Sequence, residues 1–110
     1  MRYWFAYTPA SAAAPSPERL AAIGKLTEEM VKSGTLVSTG GMLPTGGKVK
    51  LAKGKFTDGP YTEAKEVVIG WAMIDVRSKE EAYEHARRFL TAAGDGECEL
   101  RQLVGPGIPA

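Results

Sequence analysis

The stretch VVIGWAMIDV, residues 67–76, is the longest apolar run in the chain, and it decides the fold that the sequence predicts. Its β-branched side chains disfavour a helix, and it lacks the polar alternation of a strand that has one face in water. We therefore expect a central β-strand that is covered on both faces.

The N-terminal residues 2–8 predict a second strand of the same kind. Tyr7 shares one face of this strand with two other aromatic residues, whereas Trp4 and Ala6 occupy the opposite face. Aromatic side chains favour the pleated surface of a sheet over a helix. Both faces of the predicted sheet are therefore apolar.

Two helices are indicated by their start and stop signals. Ser16-Pro17-Glu18 supplies an N-cap, a first-turn proline and an early acidic residue, and Ser33-Gly34 ends that helix. Ser78-Lys79-Glu80-Glu81 is a capping box that opens a second helix, which ends at Gly94. The other predicted elements are a strand over residues 35–39, a loop over 40–47, a hairpin over 48–55 and a final strand over 98–104.

With 110 residues the chain has the length of a single domain, residues 1–110. The element order predicts an α+β fold, a ferredoxin-like split βαβ sandwich with an inserted β-hairpin. Two helices cover only one face of a four-stranded sheet, so the other apolar face needs a partner. We expect a homodimer that forms a dimeric α/β barrel, with a cavity between or beside its sheets.

Composition excludes several classes of function. Fourteen Lys and Arg residues against thirteen Asp and Glu give a net charge of +1, so nucleic acid is not an expected partner. One cysteine, Cys98, and one histidine, His85, allow neither an intrachain disulfide nor a structural zinc site. Because no apolar run approaches a membrane span, we expect a cytoplasmic protein with no membrane partner, no metal and no cofactor.

Residues 56–66, FTDGPYTEAKE, followed by Ile69-Gly70-Trp71 and Ile74-Asp75-Val76, resemble the signature of the YCII-related family in its DGPF branch. Tyr61 stands where that branch usually has phenylalanine. The turn Gly41-Met42-Leu43-Pro44 is also similar, so the resemblance extends over nearly the whole chain. It implies a bacterial protein with a ferredoxin-like fold, a homodimer and a pocket near the aspartate of the Asp58-Gly59-Pro60 turn.

Asp58 is the candidate catalytic residue, because a carboxylate at the mouth of a cavity can act as general acid or base. The alternative is a structural Asp-Gly-Pro turn. Some members of the wider family pair a histidine with this aspartate, but His85 follows Asp58 in the second helix, so the sequence does not support such a pair.

Five residues are candidate ligand contacts: Tyr7, Met42, Tyr61, Lys65 and Trp71. Tyr7, Met42 and Trp71 offer a pocket wall for a flat ligand, although the same side chains also suit a dimer core. Lys65 projects to the same side of an extended segment as Glu63, so it has either an ion-pair or a ligand-binding role.

These observations leave two hypotheses about function. The first is a small homodimer that binds a small molecule near the Asp58 turn and catalyses no reaction. The second is a cofactor-free lyase or isomerase in which Asp58 moves a proton on a small aromatic or carbonyl compound, and Tyr7 or Lys65 stabilises the developing charge. We favour the first, because a single carboxylate without an acid or base partner is a poor basis for catalysis.

Overall fold

The computed structural model describes the backbone of residues 1–60 and 68–110. The elements in these two ranges are, in chain order, β1 (Arg2–Pro9), α1 (Pro17–Lys32), β2 (Leu36–Met42), β3 (Gly47–Ala52), β4 (Lys55–Pro60), β5 (Ile69–Asp75), α2 (Lys79–Ala93) and β6 (Gly96–Leu103). Neither described helix is long and apolar enough to span a membrane.

Four strands form one antiparallel sheet in the order β2-β5-β1-β6. The two strands at its centre are β1 and β5, the segments whose apolar patterns predict full coverage. Both helices pack against each other, and their apolar residues share one core cluster with the sheet. The predicted α+β architecture is confirmed at this level, and it is compatible with a ferredoxin-like fold.

The core lies between the helices and one face of the sheet. Ile74 has no exposed surface, and Tyr3 and Phe5 are 6% and 4% exposed. The helices add their own buried residues, including Leu26 and Met30 of α1. Burying side chains of this size stabilises the fold by about 1.5–3 kcal/mol each.

The helix starts follow the sequence signals. The Ser16 hydroxyl accepts a hydrogen bond from the Arg19 amide at 3.2 Å, and the Ser78 hydroxyl accepts one from the Glu81 amide at 3.1 Å. Each bond satisfies an amide that the first helical turn leaves without a partner. These caps explain why α1 and α2 begin where the sequence predicts.

The strand register places Trp4, Ala6, Trp71 and Met73 on the sheet face that points away from the helices, which we call the open face. Ala6 is opposite Trp71 and Trp4 is opposite Met73. At the end of the open face, the Arg2 guanidinium donates two hydrogen bonds to the Asp75 carboxylate, at 2.8 and 3.1 Å. The predicted two-sided apolar sheet is therefore present.

Strands β3 and β4 form a separate two-stranded hairpin. Its turn residues Lys53 and Gly54 both have positive φ, 51° and 77°, as a two-residue type I′ turn requires. The predicted tight turn at Asp58-Gly59-Pro60 is wrong, because these residues end β4 and pair with residues 47–49 across the hairpin.

The predicted loop over residues 40–47 is also wrong at its start. Gly40 and Gly41 belong to β2, and Gly40 is opposite Trp71 in the neighbouring strand. A Cβ atom on Gly40 would lie 3.0 Å from Cζ2 of the Trp71 ring. Glycine at this position leaves room for the Trp71 ring, which a Cβ atom would force to shift by a few tenths of an ångström.

Candidate functional site

A cleft of about 820 Å³ opens at the end of the sheet where β1 ends and β5 begins. The segment that joins β1 to α1 forms one wall, and the small residues Gly40, Gly41 and Gly70 form another. Proline, alanine and serine fill residues 9–16, so no bulky side chain of this segment closes the space. The cleft has the size and the largely apolar lining of a small-molecule site.

Tyr7 lies inside this cleft. Its ring packs edge-on against Phe89 of α2, with ring centroids 5.2 Å apart. The backbone carbonyl oxygens of Gly94 and Asp95 lie 3.1 and 3.0 Å from its hydroxyl oxygen and share the single hydroxyl proton. These contacts fix the ring in one orientation as part of the wall.

Burial raises the pKa of the Tyr7 phenol. The Cys98 thiol, once ionised, and the Asp95 carboxylate act in the same direction, while Arg19 opposes them. The phenol is therefore uncharged at neutral pH. Since its proton is directed at backbone carbonyls, Tyr7 presents an aromatic face and oxygen lone pairs to the cleft.

Arg19 brings a positive charge to the same cleft. Its guanidinium lies over Gly94, where a Cβ atom would come within 2.7 Å of Cζ. Gly94 also has a φ of 102°, a conformation that favours glycine. Because Gly94 has no side chain, the Arg19 guanidinium has room at the end of α2.

Within the two described ranges, no carboxylate lies at ion-pair distance from the Arg19 side chain. Asp95 also lines the cleft. A guanidinium binds a carboxylate or phosphate through two parallel hydrogen bonds. The cleft therefore combines aromatic surface with a cation that can accept an anionic group.

A second, smaller cavity of about 220 Å³ lies between α1 and the sheet. Phe5, Leu26, Met30 and Ala72 are among its lining residues. Its walls are almost entirely apolar, which makes it a packing space of the core rather than a site with chemical groups.

The three residues that were predicted to form a pocket wall, two aromatic residues and one methionine, do not lie on the same face of the sheet. Tyr7 faces the helices, whereas the register places Trp71 and Met42 on the open face. Met42 is exposed and is opposite Ile69 at the end of β2. Of the three, only Tyr7 lines the large cleft.

Asp58 lies in β4 opposite Val49, is exposed, and does not line either cavity. Tyr61 and Lys65 fall outside the described residues. A ligand-binding or catalytic role for these three residues stays a prediction.

Two other reactive side chains are held in unreactive forms. Burial raises the pKa of the Cys98 thiol to about 11, so it is a thiol rather than a thiolate at neutral pH. Burial and the neighbouring Arg88 lower the pKa of His85, which stays neutral. In residues 1–60 and 68–110, no three His, Cys, Asp or Glu side chains form a metal-binding group.

Sequence reasoning missed Arg19 and the wall formed by residues 9–16. The sequence showed Arg19 as an ordinary polar residue of the first helical turn. Its role depends on Gly94, which lies 75 positions later in the chain. The only local signal was the run of small residues before Ser16, which leaves space beside the helix start.

Comparison with protein families supports the resemblance seen in the sequence. The family model described as the YCII-related domain matches residues 1–104. No curated protein sequence is significantly similar to the chain. The predicted family is confirmed, while assignment to its DGPF branch stays a prediction.

Proposed function

The chain belongs to the YCII-related domain family, and on that premise we propose that it is a homodimer that binds a small organic anion in the cleft lined by Tyr7 and Arg19. One observation carries the proposal: an arginine with no carboxylate partner among the described residues lines a largely apolar cleft of about 820 Å³.

The chemistry of the lining defines the ligand class. The Tyr7 and Phe89 rings offer an apolar surface on which a planar ligand can lie, and the Arg19 guanidinium offers two parallel N–H donors. A small aromatic carboxylate satisfies both features. The volume matches a ligand of one or two rings, since sites of about 300–1,000 Å³ hold drug-sized molecules.

The open face supports the proposal that the protein is a homodimer. Trp4, Trp71 and Met73 form an apolar surface that neither described helix covers. A second copy of the same face is complementary in chemistry and buries the apolar surface of both protomers. Packing of the two sheets in this way gives the dimeric α/β barrel.

Thermal-shift and calorimetric titrations with benzoate and its uncharged isostere benzamide test the ligand class. We expect benzoate to raise the melting temperature and benzamide to have little effect, because only benzoate pairs with the guanidinium. Arg19→Gln should weaken benzoate binding by about tenfold or more, equivalent to roughly 1.4 kcal/mol.

Lys25→Gln provides the matched control, since it removes one positive charge from an exposed position of the same helix outside the cleft. Equal affinity for benzoate and benzamide, or an equal effect of the two variants, contradicts the proposal. So does the absence of any thermal shift across small aromatic carboxylates.

A further inference from the structure

The smaller cavity between α1 and the sheet adjoins the large cleft. We call it the inner cavity, and its lining includes Phe5, Leu26, Met30 and Ala72. The two spaces have four lining residues in common: Ile23, Gly40, Gly70 and Phe89. These four residues come from α1, β2, β5 and α2, so all four elements meet at the boundary between the two spaces. The inner cavity is therefore an extension of the cleft into the core.

Small residues of β5 keep the passage between the two spaces open. Gly70 is opposite Tyr7, which lines the cleft. Further along the same face, Ala72 is opposite Phe5, which lines the inner cavity. A Cβ atom on Gly70 would meet no atom of the described residues within 4 Å, so the sheet leaves an unfilled position at the boundary.

One face of α1 changes from charged to apolar along this path. Arg19 lines the cleft, and Ile23, about one turn later, lines both spaces. Leu26 and Met30 follow on the inner cavity. Because a helix rises about 1.5 Å per residue, Leu26 lies about 10 Å along the axis from Arg19. This arrangement suits a ligand with an anionic group at one end and an apolar group at the other.

The inner cavity suits an apolar group in particular. The Thr27 hydroxyl donates to the Ile23 carbonyl and the Thr39 hydroxyl to the Trp71 carbonyl, each at 2.8 Å, so both hydroxyl protons on its lining are already used. A polar ligand group placed there would lose its hydrogen bonds to water, whereas an apolar group has none to lose. An apolar cavity of about 150 Å³ holds a benzene molecule. The inner cavity, at about 220 Å³, therefore has room for a short alkyl chain.

We infer that the ligand of the cleft is an amphiphilic carboxylate whose apolar tail occupies the inner cavity. The inference rests on the proposed anion site at Arg19 and extends it, because it specifies what the carboxylate is attached to. The carboxylate pairs with the guanidinium, the ring lies against Tyr7 and Phe89, and an alkyl substituent passes Gly70 into the core. Benzoate alone fills only the outer part of this path.

Calorimetric titration with benzoate, 4-ethylbenzoate and 4-butylbenzoate tests the inference. Burial of each added methylene should raise the affinity about threefold to fourfold, so 4-butylbenzoate should bind about thirtyfold or more tightly than benzoate. Affinities that stay equal along the series overturn the inference and leave the anion site standing. If none of the three carboxylates binds, both the anion site and the inference are overturned.

A cavity-filling variant shows where the alkyl chain binds. Ala72→Ile fills the inner cavity from the sheet, and Ala52→Ile makes the same change in β3, outside both spaces, as the matched control. Ala72→Ile should reduce the advantage of 4-butylbenzoate over benzoate to about threefold or less, and the control should retain it. An equal advantage in the two variants overturns the inference. Thr27→Leu fills the same cavity from α1 and keeps the test valid if Ala72→Ile folds poorly.

Methionine methyl resonances locate the alkyl chain without any variant. Met30 lines the inner cavity, whereas Met42 and Met73 are on the open face. We expect 4-butylbenzoate to shift the Met30 methyl resonance far more than benzoate does. Shifts at Met42 or Met73 with none at Met30 would place the alkyl chain on the open face and reject the inner cavity.

Discussion

Phe5 in the four-stranded sheet and Phe56 in the hairpin are the same residue on the same kind of element, yet Phe5 is 4% exposed and Phe56 is 74% exposed. Phe5 packs against the Phe89 ring of α2, with ring centroids 5.7 Å apart. No described helix packs on Phe56. Strand patterning sets which residues share a face, but a covering element decides whether that face contributes to the stability of the protomer.

The largest difference between the two regions is expected when each phenylalanine is replaced by alanine. Phe5→Ala should lower the free energy of unfolding by about 3–5 kcal/mol, because it empties a closed core. Phe56→Ala should change it by about 0.5 kcal/mol or less in the dissociated protomer. Urea denaturation at protein concentrations low enough to populate the protomer measures both, and equal losses would contradict the account.

Two glycines extend the comparison to the packing around the backbone. A Cβ atom on Gly96 would lie 2.5 Å from the Thr8 carbonyl oxygen and 2.7 Å from Cε1 of Tyr7, whereas one on Gly59 of the hairpin would meet no atom within 4 Å. Gly96→Ala should therefore destabilise the protein by about 1–3 kcal/mol. Gly59→Ala should stay within about 0.5 kcal/mol, and the reverse order in thermal unfolding would refute this packing argument.

A smaller effect is expected from the ion pair at the end of the open face. The hydrogen bond from Arg2 holds the pKa of Asp75 below its ordinary value, so the folded state favours the ionised carboxylate. The contribution to stability is present above the ordinary aspartate pKa and is lost as the pH falls through the lowered value. Asp75→Asn should remove this part of the acid sensitivity in urea titrations, and an unchanged pH profile would show that the pair contributes nothing.

The element order was predictable because its signals are local. The Ser16 and Ser78 caps mark the helix starts, and the β-branched and aromatic runs mark the two central strands. The errors arose where a tertiary contact overrides a local preference. Gly40 pairs with Trp71 of the neighbouring strand β5, and Asp58 pairs with Val49 of β3.

The candidate site was predictable only in part. Tyr7 was identifiable because an aromatic residue at the end of a central strand lies at an edge of the core. Arg19 was not, since its position depends on Gly94 at the far end of α2. A contact between residues so distant in the chain leaves no periodic or spacing signal in a single sequence.

Titration of isotope-labelled protein with benzoate, followed by amide chemical shifts, tests the central claim most directly. We predict saturable shifts at Tyr7, Arg19, Gly94 and Asp95, with none at the hairpin residues 47–60, and loss of these shifts in Arg19→Gln. Shifts confined to the hairpin, or shifts at the cleft that persist in Arg19→Gln, would contradict the assignment of this cleft as an anion-binding site.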